Sequence, residues 1–162
     1  MQTFLPFADI KLSCKSLDKR RQFRQCVEAR QILNVLDGKS EGWKNHPAVK
    51  MWHGYRDALA MYYNGFLDYC VKEHKYNIKK LHPIVIDVPV VYWPQWFGNL
   101  EFHVSHQNNL ARKAFEDMYK REDMQLWNAL LSVGINPATR NIQMEYVWPV
   151  NSHSLKKIVY GE

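Results

Sequence analysis

Asp18-Lys-Arg-Arg-Gln-Phe-Arg-Gln-Cys-Val-Glu28-Ala-Arg30-Gln-Ile-Leu-Asn-Val-Leu36 is the stretch whose reading decides the fold. At roughly 100° per residue, Phe23, Cys26, Val27, Ala29, Leu33 and Leu36 gather into one apolar arc, with Arg21, Arg24 and Glu28 on a polar strip beside it. That period over that length predicts a helix from about Asp18 to Asp37 with one side buried. The same arithmetic sets Arg30 between Phe23, Cys26 and Val27, on the side expected to be buried, where a guanidinium needs a partner or a ligand. The polar strip admits two readings. One is a solvated face with an Arg24–Glu28 pair four residues apart. The other is a single carboxylate, Glu28, set among phosphate-seeking bases for acid–base work on a polyanion.

Working outward, Gly38–Gly42 and His46-Pro47 separate this helix from a second helical pattern, from about Ala48 to His74. Trp52, Tyr55, Leu59, Tyr62, Tyr63, Phe66 and Tyr69 give it apolar surface on most sides, which predicts a long central helix. Gly54, Ala58, Met61 and Gly65 fall close to one line on it and read as a small-residue groove for close packing. Between about His82 and Gly98 three prolines interrupt β-branched residues, so an irregular extended connection is expected. Its Tyr92, Trp93, Trp96 and Phe97 read either as a lid on the core or as a stacking platform for unpaired bases.

Leu100 to Lys113 reads as a further helix carrying His103, His106, Gln107 and Asn108. Histidines three apart share a face, but no third ligand at metal-binding spacing accompanies them, so no metal site is expected. Contact with phosphates or base edges and ordinary hydrogen bonding within the protein are both open for these four residues. The segment MQLWNALLSVG, 124–134, is again apolar at helical spacing and ends at Gly134. The final stretch, with its Lys156-Lys157 pair, is expected to lie over the core as an arm. The fold class is therefore all-α: a single compact helical domain, 1–162, with a central long helix and an irregular Pro-rich connection.

With 162 residues, 46% of them hydrophobic, the chain can bury a sizeable core, and a formal net charge of +6 favours an anionic partner, of which nucleic acid is the commonest. Cys14, Cys26 and Cys70 are odd in number and lack metal-ligand spacing, which favours reduced thiols over a disulfide framework. The N-terminus has no signal-like apolar core, and no window reaches the roughly 18 apolar residues of a membrane span. The expectation is a soluble, monomeric protein that begins at Met1; with nucleic acid as the partner it works in the cytoplasm and nucleoid, or in the compartment of a viral or host genome.

The order of these elements resembles the pyrimidine-dimer DNA glycosylase family of small helical repair enzymes. The likeness runs to about Lys113. It rests on a short N-terminal lead, a basic helix with E-x-R as Glu28-Ala-Arg30, a helix opening at His46-Pro47 and running through Gly54 and Tyr62-Tyr63, and the Pro94-Gln-Trp-Phe-Gly98 turn before His103–His106. The resemblance implies a bifunctional DNA repair enzyme, glycosylase and abasic-site lyase, that extrudes a damaged pyrimidine from double-stranded DNA. It implies no cofactor, because the N-terminal α-amine is the nucleophile and forms a Schiff base with the sugar. Gln2 is large enough to leave Met1 in place, so the catalytic pair implied is the Met1 amine and Glu28. Arg21, Arg24 and Arg30 would hold the DNA backbone, and His46, His103, His106, Gln107 and Asn108 would contact DNA or the lesion. A non-catalytic nucleic-acid-binding module, or an enzyme of related fold acting on a modified base or nucleotide, is the alternative.

Overall fold

The computed structural model describes residues 1–76, 80–143, 145–149 and 155–159, the side chains of 145, 148 and 155–159 excepted; Lys156 and Lys157, read as a basic pair, therefore lie outside the described residues as side chains. The fold is all-α. An N-terminal segment without helix or strand leads into a short helix α1, Ile10–Lys15, capped by the Asp9 carboxylate accepting from the Leu12 N–H at 2.7 Å. Helix α2 spans Lys19–Leu36, with the Asp18 side chain as its N-cap and Gly38 at φ +70° just beyond its end. The expected basic helix is there within a residue of its expected bounds.

The single long helix expected from Ala48 to His74 is instead two. Helix α3, Pro47–Lys50, is one turn, and α4, Arg56–His74, follows after a turn at Met51–Tyr55 in which Gly54 takes φ +84°. A left-handed residue cannot continue a right-handed helix, so the apolar pattern runs on while the backbone does not. Gly54 therefore does not belong to a groove on α4. Gly65 does make a close approach: a Cβ there would sit 2.7 Å from Ile10 Cγ2, so α1 crosses α4 at that glycine. Helix α4 is central as expected, burying Ala58, Leu59, Tyr62, Tyr63, Phe66, Leu67 and Cys70 against α1 and α2.

Residues 80–99 carry no helix or strand, in keeping with their prolines. The connection is stitched to α4 by the Asn64 side-chain amide, which donates to Ile84 O and accepts from Ile84 N, both at 2.8 Å. Trp96 is buried, edge-on to Trp52 and donating to Met51 O, whereas Tyr92 is exposed; the tryptophan is lid and core. Helix α5, Leu100–Arg121, outruns the expected end at Lys113 by two turns, and α6, Gln125–Ser132, stops at Gly134 with φ +80°. A two-stranded antiparallel ribbon, β1 Glu145–Pro149 and β2 Leu155–Val159, lies against α5 and puts Tyr146 and Val147 into the interior. No helix among the described residues is long and apolar enough to cross a membrane.

Candidate active site around the N-terminal segment

Residues 2–6 carry no helix or strand, so their backbone groups have no helical or sheet partners and must be satisfied from elsewhere. Side chains of α2, α4 and α5 do this one group at a time. Gln2 N donates to Glu28 Oε2 at 2.8 Å and Phe4 N to Gln25 Oε1 at 2.8 Å, Gln25 and Glu28 being one turn apart on α2. Tyr62 of α4 donates to Gln25 Oε1 and lies 3.1 Å from Phe4 O. On the opposite side, Leu5 N donates to His106 Nδ1 at 3.0 Å, and Leu5 O accepts from His103 Nδ1 at 2.7 Å. Gln107 donates to Pro6 O at 2.8 Å. Thr3 Oγ1 accepts from Trp52 Nε1 at 3.0 Å, just past the end of α3. The segment is thus clamped along its length, and the clamp sets where the chain terminus sits.

That terminus opens onto a cleft of about 250 Å³ lined by Met1, Gln2, Phe4, Arg21, Arg24, Gln25, Glu28 and Lys113. Glu28 is the carboxylate of this wall, its second oxygen accepting from Arg24 Nε at 3.2 Å. Arg24 is otherwise exposed, 74% of its side chain facing solvent. Arg21 is half-buried and committed inward, to Asp18 and to Asp117 at 2.7 Å. Burial works against its charge, but the hydrogen bonds to Asp117 and Asp18 outweigh this and raise its pKa above the ordinary value. Burial, with Arg112 beside it, lowers the pKa of Lys113, a cationic lining residue from α5.

His46 caps α3, its Nδ1 accepting from Ala48 N at 3.0 Å. Its pKa is lowered first by burial and then by the N-terminal amine, with Glu28 opposing, so the imidazole stands within electrostatic reach of both groups. Arg30 lies elsewhere: its guanidinium sits 5.8 Å over the Tyr63 ring, which answers the need for a partner on the apolar side. His103 and His106 do share a face, but it is the inner one. Both are buried, with Nε2 of His103 accepting from Gly98 N and Nε2 of His106 against Tyr146 Oη, itself contacted by the Gln2 side-chain amide. Burial lowers the His103 pKa and takes that of His106 down to about 3. Asn108 is buried and Gln107 is spent on Pro6. None of the four lines the cleft, and His103, His106 and Gln107 are committed instead to the backbone groups of Leu5 and Pro6.

Gln25, Lys113, Asp117 and Tyr146 belong to this arrangement and were not singled out in the sequence. Only Gln25 left a signal there: a polar residue three before Glu28 on the same side of a helix. Among the described residues no group of three or more His, Cys, Asp or Glu side chains could hold a metal ion. A family model described as pyrimidine dimer DNA glycosylase matches residues 1–83, from the N-terminal segment through α4 into the Pro-rich connection. No curated protein and no solved structure matches.

Proposed function

The chain belongs to the pyrimidine dimer DNA glycosylase family, and we propose that it releases a damaged pyrimidine from double-stranded DNA and then cuts the strand at the abasic site, using the Met1 amine as nucleophile. The observation that carries this is the 2.8 Å bond from Gln2 N to Glu28, one peptide from the terminal amine, on the wall of a cleft that both residues line. A primary amine and a carboxylate in one cleft suit a reaction in which positive charge develops on a sugar.

The amine nitrogen attacks C1′ of an extruded nucleotide, the N-glycosidic bond breaks, and its electron pair goes to the base, which stays joined to its neighbour through the cyclobutane ring when the lesion is a dimer. Extrusion is needed because C1′ is poorly accessible while the base is stacked. The nitrogen gives up both its protons, one to the base anion and one to the ring oxygen as the sugar opens, which leaves a C1′ imine. Removal of a C2′ proton then expels the 3′ phosphate by β-elimination, and water hydrolyses the imine to restore the amine. Glu28 stabilises the cationic sugar and carries protons in these steps. Arg24, exposed at the cleft rim, holds a flanking phosphate, and Arg21 stiffens the rim from below.

Borohydride reduction during turnover on a duplex with one cyclobutane thymine dimer tests the proposal. The expected product is protein cross-linked to DNA with the adduct mapped to the Met1 peptide. An adduct mapped only to Lys113 or another lysine, or strand cleavage with no adduct at all, removes the N-terminal mechanism.

A further inference from the structure

Lys113 brings α5 into the lining of the cleft, which is otherwise built from the N-terminal segment and α2. It is partly buried, and among the described residues its ammonium makes no hydrogen bond and no ion pair. The other side-chain cations of the lining are paired, Arg21 with Asp18 and Asp117 and Arg24 with Glu28. A lysine drawn out of water without a partner gives up its proton more readily than one on the surface. Burial accordingly lowers its pKa first and Arg112 next; Glu116 opposes, Arg21 on α2 adds to the lowering, and Asp117 opposes. The Met1 amine, Arg24 and Glu28 share the cleft with it.

Base release needs an acid, because the departing base holds the electron pair of the N-glycosidic bond. The rest of the lining does not supply one. Glu28 accepts on both oxygens, from Gln2 N and from Arg24 Nε, and a carboxylate in that state has no proton to give. Arginine keeps its protons at any pH the protein survives, and the Gln2 and Gln25 amides are not acids. The Met1 amine has to be neutral in order to attack. Lys113 is the group left in the lining with a proton that can leave.

We propose that Lys113 is the general acid of base release, delivering a proton to the departing pyrimidine and recovering one from the nitrogen that has bonded to C1′. The inference rests on the glycosylase reading above and assigns a route to the first of the two protons that this nitrogen gives up. As the glycosidic bond breaks, its electron pair takes a proton from the Lys113 ammonium, and the N–H bonding pair stays on the lysine as a neutral amine. That amine then accepts a proton from the positively charged nitrogen on C1′. Lys113 ends as it began, and the net transfer is one proton from nucleophile to base.

The test compares wild type, Lys113→Met and Lys113→Arg in single-turnover base release from a duplex with one thymine dimer and in strand cleavage at a pre-formed abasic site, from about pH 6 to about pH 10. The abasic site has already lost its base, so its cleavage draws on Met1, Glu28 and the DNA contacts without an acid for a leaving base. Lys113→Met is expected to slow base release by roughly 10²-fold or more and abasic cleavage by no more than about fivefold. Wild-type base release is expected to rise with pH as the Met1 amine loses its proton and to fall again as Lys113 loses its own, below the ordinary lysine range; the falling limb is expected to vanish in Lys113→Met. Lys113→Arg restores the charge without a proton that can leave, and is expected to be as slow as Lys113→Met. Base release near wild type in Lys113→Arg would reduce the residue to a charge contact and overturn the proposal, as would equal losses of both activities in Lys113→Met or a falling limb that survives in it; the glycosylase reading stands in all three cases. A wild-type protein that neither releases base from the dimer nor cuts the abasic site overturns both.

Discussion

Glu28 carries two duties that a single substitution separates. Its carboxylate anchors the Gln2 N–H at 2.8 Å and supplies the negative charge of the cleft wall. Glu28→Gln keeps an oxygen to accept that N–H but removes the charge, so the N-terminal segment should stay in place while a cationic sugar loses its stabilisation. Base release should fall by roughly 10²–10³-fold or more, with affinity for an abasic-analogue duplex near that of wild type. Single-turnover base release beside equilibrium binding measures both; full activity in the variant would mean that the charge of Glu28 has no part in the chemistry. Glu28 was legible in the sequence because a lone acid on a basic strip is unusual in type and position. The buried amides of α2 were not: Gln25 accepts from the N-terminal segment at Phe4 N, Gln22 donates to Cys14 O of α1 and to Leu17 O, and no periodicity of apolar residues reveals an inward-facing amide.

At the scale of elements, α5 holds the N-terminal segment through two buried histidines, and this makes the site acid-sensitive. Nδ1 of His106 accepts from Leu5 N, and Tyr146 occupies the other ring nitrogen, so a proton added at Nδ1 would turn the acceptor into a donor facing an N–H. Burial holds the folded pKa of His106 at about 3, against an unfolded value of about 6.5. Between these values the unfolded chain takes up a proton that the folded chain refuses. Stability from this group is therefore complete above about pH 6.5 and declines as pH falls toward 3, by up to about 1.4 kcal/mol per pH unit. Urea unfolding from pH 7 to pH 4 should show this decline, and His106→Gln should show a shallower one; parallel curves would assign the acid sensitivity to other groups. The helices themselves were largely readable: α2 from its period, α6 from its apolar spacing and Gly134. The break between α3 and α4 was not, because it depends on the φ of Gly54 and leaves the apolar pattern uninterrupted. Nor was the direction of the histidine face, since its partner is a backbone segment about a hundred residues earlier in the chain.

Over the whole molecule, a net charge of +6 on 162 residues gives a positive field that draws in DNA, and the arginines of α2 divide the work within it. Arg24 is exposed at the cleft rim, free to exchange its surface pair with Glu28 for a phosphate. Arg21 is tied to Asp117, which is buried on α5, and thereby braces α2 against α5 beneath the cleft. Binding to an undamaged duplex should weaken linearly in log–log terms as salt rises, with a slope of roughly −0.9 per phosphate neutralised. Arg24→Ala should make that slope shallower by about 0.9 with little change in unfolding free energy, because exposed pairs contribute at most about 1 kcal/mol. Arg21→Ala should do the reverse. Among the described residues it leaves the Asp117 carboxylate with the more distant Arg20 and Arg121, at 4.0 and 3.4 Å, and should lower stability by on the order of 2 kcal/mol while changing the slope little. Fluorescence anisotropy titrations between about 50 and 200 mM salt, paired with urea unfolding, separate the two cases. A salt-independent affinity in the wild type would remove the phosphate backbone as the partner of this surface. Identical slopes in the wild type and Arg24→Ala would move the phosphate contact off α2 to another part of the basic face.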